Sequence, residues 1–340
     1  MKRFYIDGRE LFADDEFKKF FQIDSHPRPY SVSFKPFQNS FKETDVVLVD
    51  ENVQRLYGVK HEKMIVVSAT EENKSMEMVL NICEQLLSFG FNKGNRLVVI
   101  GGGIIQDLGA YTAKTFKRGV DWIFYPTTLL SQCDSCIGGK TALNFKTYKN
   151  QLALFSAPSE VIIDVNFLNT LTKEDIVSGY GEIVKLFLIG GQSYLDMIDC
   201  TDMERLIYHS LSIKKAVIEF DEFEKSERRS LNYGHSFGHV IEPMVNYEIP
   251  HGEAVLLGIQ IVNLLFDNNE TITNLINKFT SLQKIKSLDI QKLVDGLKTD
   301  KKSVGKSISF VRVDMPGNTI FTNVEIDGKL QEKVYEVFIN

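Results

Sequence analysis

Residues 96–107 read Arg-Leu-Val-Val-Ile-Gly-Gly-Gly-Ile-Ile-Gln-Asp, and this stretch decides the fold. Arg96–Ile100 is a short, β-branched apolar run bounded by polar and glycine residues. Such a run reads as a strand buried on both faces of a parallel sheet. It leads straight into Gly101, Gly102 and Gly103, then into a helix-like stretch with Asp107 in its first turn. Glycines let a backbone approach a pyrophosphate closely, and a helix start supplies N–H donors for it. The dinucleotide fingerprint G-x-G-x-x-G is met at Gly101 and Gly103, while Gln106 stands in its third position. The triplet alone fits a phosphate cradle or a plain tight turn from strand to helix.

Working outward, further short apolar runs occur at Val46–Val49, Met64–Val67, Trp122–Tyr125 and Val161–Ile163. Lys74–Phe89 carries Met76, Val79, Leu80, Cys83, Leu86 and Leu87 at helical spacing. Strands alternating with helices imply βαβ units and a right-handed, Rossmann-like parallel sheet. After residue 165 the period changes to 3.6, over Ile176–Leu188, Glu204–Phe220, Arg228–Val245, Glu253–Phe266 and Glu270–Leu282. Two late strands are expected at Ile308–Val313 and Thr319–Thr322, and a first strand at Arg3–Ile6. The expected class is an α/β N-terminal domain, residues 1–157, followed by a mostly α-helical domain, residues 158–340, with the boundary at the Ser156–Glu160 turn. Ligands of open α/β sheets bind at the carboxyl ends of the strands, so the chemistry is sought there.

Composition narrows the class. With 43% hydrophobic and 25% charged residues the chain is neither disordered nor collagen-like. Its 340 residues fit two domains of roughly 150 each. The formal charge of −6 and pI of about 5.6 argue against a nucleic-acid partner, yet leave room for a local basic pocket. No run approaches the roughly 18 apolar residues of a membrane helix. The start MKRFYIDGRELF has no signal-peptide core, so the expectation is a cytoplasmic protein without a membrane partner. Cys83, Cys133, Cys136 and Cys200 are too few for a disulfide scaffold, and the lone Cys133-x-x-Cys136 lacks a second ligand pair for zinc. Gly139-Lys140-Thr141 resembles the end of a phosphate-binding P-loop, but Asp134 stands where that motif needs glycine.

Three of the six histidines, His235, His239 and His251, fall within seventeen residues. On one continuous helix Arg228, Asn232, His235 and His239 would share a face. A polar stripe beside Leu231, Phe237, Val240 and Ile241 is costly unless a metal or an anion satisfies it. Spacing alone makes His235 and His239 candidate ligands, with His251 closing the site. Glu182 and Lys185, three residues apart in the apolar segment GYGEIVKLFLI, read as a buried functional pair or as a surface ion pair.

These segments together resemble 3-dehydroquinate synthase and the related sugar phosphate cyclases. The resemblance runs from Val46 to Asp300-Lys301-Lys302, through VDENV, Glu71-x-x-Lys74, GGGIIQDLGAYTAKTFKRG, PTTLLSQCDSCIGGKTALN, YKN, GEIVK, ERRSLNYGHSFGH, HGEAV and DKK. It implies that the first domain holds NAD along Asp50, Glu71, Lys74, Gly101, Gly102, Gly103, Asp107, Thr127, Thr128 and Lys149. It implies a metal, zinc or cobalt, on Glu182, His235 and His251, and assigns His239 to substrate against the i,i+4 expectation. Substrate contacts are implied at Asp134, Lys140, Asn150, Lys185, Lys214, Arg228, Asn232, His239 and Lys302. Arg118 resembles the arginine that reaches a neighbouring subunit's substrate, implying a homodimer. Departures stand at Gln106, Cys133, Cys136, Gly181 and the run QLALFSAP.

The implied reaction takes the anionic sugar phosphate 3-deoxy-D-arabino-heptulosonate 7-phosphate to 3-dehydroquinate and phosphate, with NAD regenerated. Arginines and lysines inside an acidic protein suit a substrate with a carboxylate and a phosphate. Alternatives are an aminodehydroquinate synthase, a cyclitol synthase or a metal-dependent polyol dehydrogenase. Retention of Arg228, Asn232 and His239 favours a carboxylate-bearing substrate.

Overall fold

The computed structural model describes residues 1–146, 148–298, 303–304 and 307–339. It contains two compact units: Lys18–Thr172 forms one, and Met1–Phe17 with Lys173–Asn340 the other. The expected boundary at 157/158 therefore moves, and the N-terminal segment changes sides. The chain opens with β1 (Lys2–Ile6) and β2 (Arg9–Ala13) of the second unit before entering the first.

The contiguous unit is built on β3 (Phe20–Ile23), β4 (Tyr30–Phe34), β5 (Val46–Asp50), β6 (Met64–Val67), β7 (Arg96–Gly101) and β8 (Asp121–Pro126). β9 (Lys140–Phe145) and β10 (Tyr148–Phe155) form a separate antiparallel hairpin that the sequence reading did not anticipate. β11 (Glu160–Ile163) returns to the main sheet, whose order is β3-β4-β11-β8-β7-β5-β6. Because β11 pairs in parallel with both β4 and β8, a boundary before it would cut the sheet, which is why the division falls later. Only β3 runs antiparallel. Val46–Val49 and Leu97–Ile100 are buried on both faces, which accounts for their uninterrupted apolar sequences.

α1 (Glu51–Tyr57), α2 (Met76–Ser88) and α3 (Gly103–Thr115) connect these strands. Asp50 caps α1 through Asn52 N–H, and Ser75 caps α2. From β5 the chain crosses to β6 on one side, and from β7 to β8 on the other. The strand order thus reverses between β5 and β7, the place where such sheets bind ligands.

The second unit holds α4 (Lys173–Gly190), α5 (Gln192–Leu195), α6 (Met203–Phe220), α7 (His235–Met244), α8 (His251–Phe266), α9 (Glu270–Ile276), α10 (Ile290–Leu297) and α11 (Gly328–Ile339). It also contains a five-stranded sheet, β12 (Ser303–Val304), β13 (Ser307–Met315), β14 (Asn318–Glu325), β1 and β2, in the order β12-β13-β14-β1-β2. β1 pairs in parallel with β14, so residues 1–17 belong with the chain's far end rather than with the α/β unit. The helix expected over Arg228–Val245 is broken. Glu227–Asn232 is a 3₁₀ turn, and α7 starts after Gly234, whose φ of 77° stops a continuous helix. The helix expected to reach Leu282 ends at Ile276.

Three helices of this unit touch backbone to backbone. A Cβ on Gly252 of α8 would sit 1.8 Å from the Ser178 carbonyl oxygen of α4, and one on Gly181 2.1 Å from the Gly252 oxygen. Across α7 and α8, a Cβ on Gly258 would lie 2.0 Å from the Gly234 oxygen. Glycine at 181 thus has a local cause. Gly252→Ala is expected to cost the upper end of about 1–3 kcal/mol or more in denaturant unfolding, because no rotamer relieves a backbone clash. Gly103→Ala, with nothing within 4 Å of its added Cβ, is expected to leave stability unchanged. Equal stability of the two variants would refute the close approach.

Candidate active site

In the α/β unit the predicted nucleotide residues gather on the carboxyl edge of the sheet. Asp50 ends β5, Gly101 ends β7 and lies opposite Pro126 of β8, and Thr127 and Thr128 follow β8. Thr127 N–H donates to the Gly101 carbonyl at 3.0 Å. Gly102 packs on Thr128, where a Cβ would be 2.9 Å from Cγ2, whereas Gly103 faces open space at the first turn of α3. This is a cradle that tolerates no side chain beneath and leaves room above. Gln106 is buried and exchanges hydrogen bonds with Ser135, donating to its carbonyl at 2.7 Å and accepting from its Oγ at 2.6 Å. The third fingerprint position thus ties the following loop. Asp107 lies in the second turn of α3, not the first.

A second polar group surrounds the β9–β10 hairpin. Lys74 Nζ lies 2.6 Å from Asp107 Oδ2 and donates to Asn150 Oδ1 at 2.7 Å. Asn144 donates to Glu71 Oε1 at 2.9 Å and accepts the Asn150 N–H at 3.0 Å, and Lys149 Nζ is 3.7 Å from Glu71. Burial pushes the Asp107 carboxyl up, against the pull of the Lys74 ammonium. Glu71, Lys74, Asp107, Lys149 and Asn150 are therefore one network, which joins a predicted substrate residue to predicted nucleotide residues. Asp134 is half-buried after β8, and Lys140 is exposed on β9. Arg118 is exposed and lies three residues before β8, at the amino edge of the sheet. α3 spans roughly 20 Å from the glycine turn to that edge, so Arg118 is not brought to this group. Cys133 and Cys136 are buried thiols, and each lies near a backbone carbonyl, of Leu130 and Gln132 respectively.

In the helical unit, Glu182 on α4, His235 at the start of α7 and His251 at the start of α8 present donor atoms within 4.8 Å of one another. Glu182 is 1% exposed. His251 Nε2 is 3.3 Å and His235 Nε2 3.7 Å from its Oε1, and Lys185 pairs with Oε2. The helices that approach at Gly181, Gly252, Gly234 and Gly258 are those that carry the triad. Burial alone would raise the Glu182 carboxyl, but Lys185 and His251 overcome it and hold it at about 2. Burial would lower His251, but Glu182 and Glu242 raise it to about 10. A carboxylate and two imidazoles converging on one point, with a proton held among them, suit a divalent cation.

That proton sets a pH dependence. In the metal-free triad Glu182 is held ionised and His251 protonated well above the ordinary imidazole range, so a metal must displace the His251 proton. Cobalt affinity is expected to rise toward tenfold per pH unit from 6 to 9, with about one proton released, measured by chelator competition and calorimetry in buffers of different ionisation heat. In the metal-free protein the sign is opposite. A histidine raised from 6.5 stabilises the fold fully below 6.5 and loses that contribution as pH rises toward about 10. A pH-independent affinity would refute this proton count.

His239 is exposed one turn along α7, its ring centroid 5.2 Å from that of His235. It groups with Glu242 and His251 rather than with Glu182, which corrects the i,i+4 pairing. Lys185 and Lys214 are buried on α4 and α6. Arg228 is buried, its N–H donating to Asp221 Oδ2 at 3.1 Å and its guanidinium to the Glu222 carbonyl. Asp221 also accepts the N–H groups of Lys225 and Ser226, which fixes the turn entering Glu227–Asn232. Asn232 donates to Glu224 Oε1 at 2.8 Å. Glu224 and Glu242 escaped the sequence reading. An acid four residues before Arg228 and another seven after His235 were the available signals. Lys302 lies outside the described residues.

Strand reversal, glycine cradle and carboxylate–imidazole triad define a class, an α/β unit with a nucleotide-binding edge joined to a helical unit suited to a divalent cation. The chain belongs to the 3-dehydroquinate synthase family: the N-terminal family model matches residues 64–178 and the C-terminal one residues 179–303. A 3-dehydroquinate synthase of Pelagibacter ubique is 38% identical over 80% of this chain and 79% of its own length. In fold the chain resembles a 2-deoxy-scyllo-inosose synthase solved with carbaglucose-6-phosphate, NAD+ and Co2+, with TM-score 0.78, 23% identity and coverage of 94% and 99%. It also resembles 2-epi-5-epi-valiolone synthase of Streptomyces hygroscopicus with NAD+ and Zn2+, with TM-score 0.76, 22% identity and coverage of 91% and 96%.

Proposed function

We propose that this protein is a 3-dehydroquinate synthase, a carbon–oxygen lyase of the shikimate route to aromatic amino acids. It converts 3-deoxy-D-arabino-heptulosonate 7-phosphate to 3-dehydroquinate and phosphate. The observation that carries the reading is the Glu182–His235–His251 triad beside buried Lys185 in a chain of this family. When bound, NAD supplies a hydride acceptor that is restored each turnover, and zinc or cobalt supplies Lewis acidity. Asp50, Gly101, Gly102, Gly103, Thr127 and Thr128 line the edge for NAD, and Glu71, Lys74, Asp107 and Lys149 complete its network.

Lys185, Lys214 and Arg228 are cations of the helical unit for an anionic substrate, and Arg228 suits a carboxylate or phosphate by its planar fork. Asn232 and His239 offer hydrogen bonds beside them. Asp134, Lys140, Asn150 and Lys302 are further substrate residues. The amino-edge position of Arg118 supports a homodimer in which it serves the partner's site, and we place the enzyme in the cytoplasm. The proposal is tested by supplying the heptulosonate phosphate with NAD and zinc, measuring phosphate release, and identifying the carbocycle by NMR. Dehydroquinate is expected at roughly 1–100 turnovers per second. Phosphate release from sedoheptulose 7-phosphate alone would overturn the assignment, and net NADH accumulation on a polyol would move it to the dehydrogenases.

A further inference from the structure

We propose that Glu242 is a positioning residue for the metal: its carboxylate accepts the Nδ1 proton of His251 and so holds Nε2, the nitrogen a metal would take, toward Glu182. The inference rests on the metal assignment of the preceding section and extends it beyond the three ligands.

His235, His239 and Glu242 follow one another on α7 at intervals of four and three residues, and so share a face. That face meets the start of α8, where His251 stands directly after Pro250. The His251 ring is addressed on both nitrogens. Nε2 lies 3.3 Å from Glu182 Oε1, and Nδ1 lies 3.5 Å from Glu242 Oε2. His235 repeats the plan with a different acceptor, its Nδ1 lying 3.1 Å from the Tyr233 carbonyl and its Nε2 3.7 Å from Glu182. Each imidazole thus offers one nitrogen to the shared carboxylate and has an oxygen beside the other. An oxygen acceptor on the remote nitrogen of a metal-bound imidazole fixes its tautomer and ring orientation.

His239, Glu242 and His251 also present donor atoms within 4.8 Å of one another and could hold a second cation. His251 would then ligate through both nitrogens. A neutral imidazole has one bare nitrogen and one N–H, so ligation on both sides needs the second proton removed as well. With Nε2 committed to the triad, Nδ1 keeps its proton, and a carboxylate is the acceptor it requires. Glu242 therefore acts through His251 rather than on a metal of its own.

The test uses the full-length protein with Co2+ as probe. Chelator competition and the cobalt d–d spectrum are followed for the unaltered protein, Glu242→Gln, Glu242→Ala and Glu182→Ala. One cobalt per chain is expected. Glu242→Gln, which keeps the shape and an acceptor but not the charge, should weaken cobalt binding roughly tenfold, and Glu242→Ala up to roughly a hundredfold. Both should shift the cobalt bands while leaving NAD binding unchanged. In the zinc-loaded unaltered protein, ¹⁵N histidine spectra should show the His251 proton on Nδ1, a readout independent of any variant's folding. Native cobalt affinity in both Glu242 variants would overturn the inference, as would a proton on Nε2. So would two cobalt ions per chain falling to one in Glu242→Ala, which would make Glu242 a ligand. If Glu182→Ala retains native cobalt affinity, the triad itself fails, which separates the two outcomes.

Discussion

With His251 replaced by alanine, the protein is expected to lose its metal and, with it, at least roughly a thousandfold in turnover, the equivalent of several kcal/mol of Lewis-acid stabilisation. The substitution removes one of three donor atoms that lie within 4.8 Å of one another. It also takes from Glu242 the His251 Nδ1 that lies 3.5 Å from its carboxylate. The fold should survive, because Glu182 keeps its buried ion pair with Lys185 and its approach to His235. Metal affinity should fall by more than the roughly hundredfold ceiling for loss of an outer partner. NAD binding should be untouched, because the proposed NAD residues all lie in the Lys18–Thr172 unit. Elemental analysis and NAD calorimetry on one preparation check both halves. Native zinc stoichiometry would sink the ligand assignment.

Arg228→Lys should reduce kcat/KM for the heptulosonate phosphate by roughly 10–100-fold, which is about 1.5–3 kcal/mol for a charged hydrogen-bonding group. Arg228 is among the largest side chains that are fully buried, and its guanidinium is oriented by the Glu222 carbonyl. A lysine keeps the charge but brings a single ammonium in place of a planar fork, so two-point recognition is lost. The effect should fall mainly on KM, with the NAD dissociation constant and metal content unchanged. Equal weakening of NAD and substrate would show that the substitution disturbs the fold rather than recognition.

The sheet was legible because burial on both faces forces a continuous apolar run, and Val46–Val49 and Leu97–Ile100 have that form. The glycine turn announced the edge where the predicted nucleotide residues gather. The hairpin of β9 and β10 was not legible, because Lys140, Phe145 and Tyr148 are exposed and its residues show no clean alternation. The break at Gly234 was hidden by apolar residues that keep helical spacing on both sides of it. Reading through it put Arg228 and Asn232 on the face of His235, whereas Asp221 in fact holds Arg228 on a separate turn. The triad was only partly legible from spacing. Helical periodicity relates residues of one helix, and Glu182, His235 and His251 come from three, joined by contacts between glycines. Family resemblance supplied what periodicity could not.

The pairing of Tyr5 with Asn318 has a consequence for how the chain is made. A ribosome adding 5–20 residues per second delivers β1 and β2 first, and their partner β14 only about 300 residues, or roughly 15–60 seconds, later. From about the middle of that interval the nascent Lys18–Thr172 segment is a contiguous unit with all its strands in hand and can fold as it emerges. The leading hairpin must meanwhile wait with an open edge, a candidate for chaperone protection and for mispairing between neighbouring chains on one message.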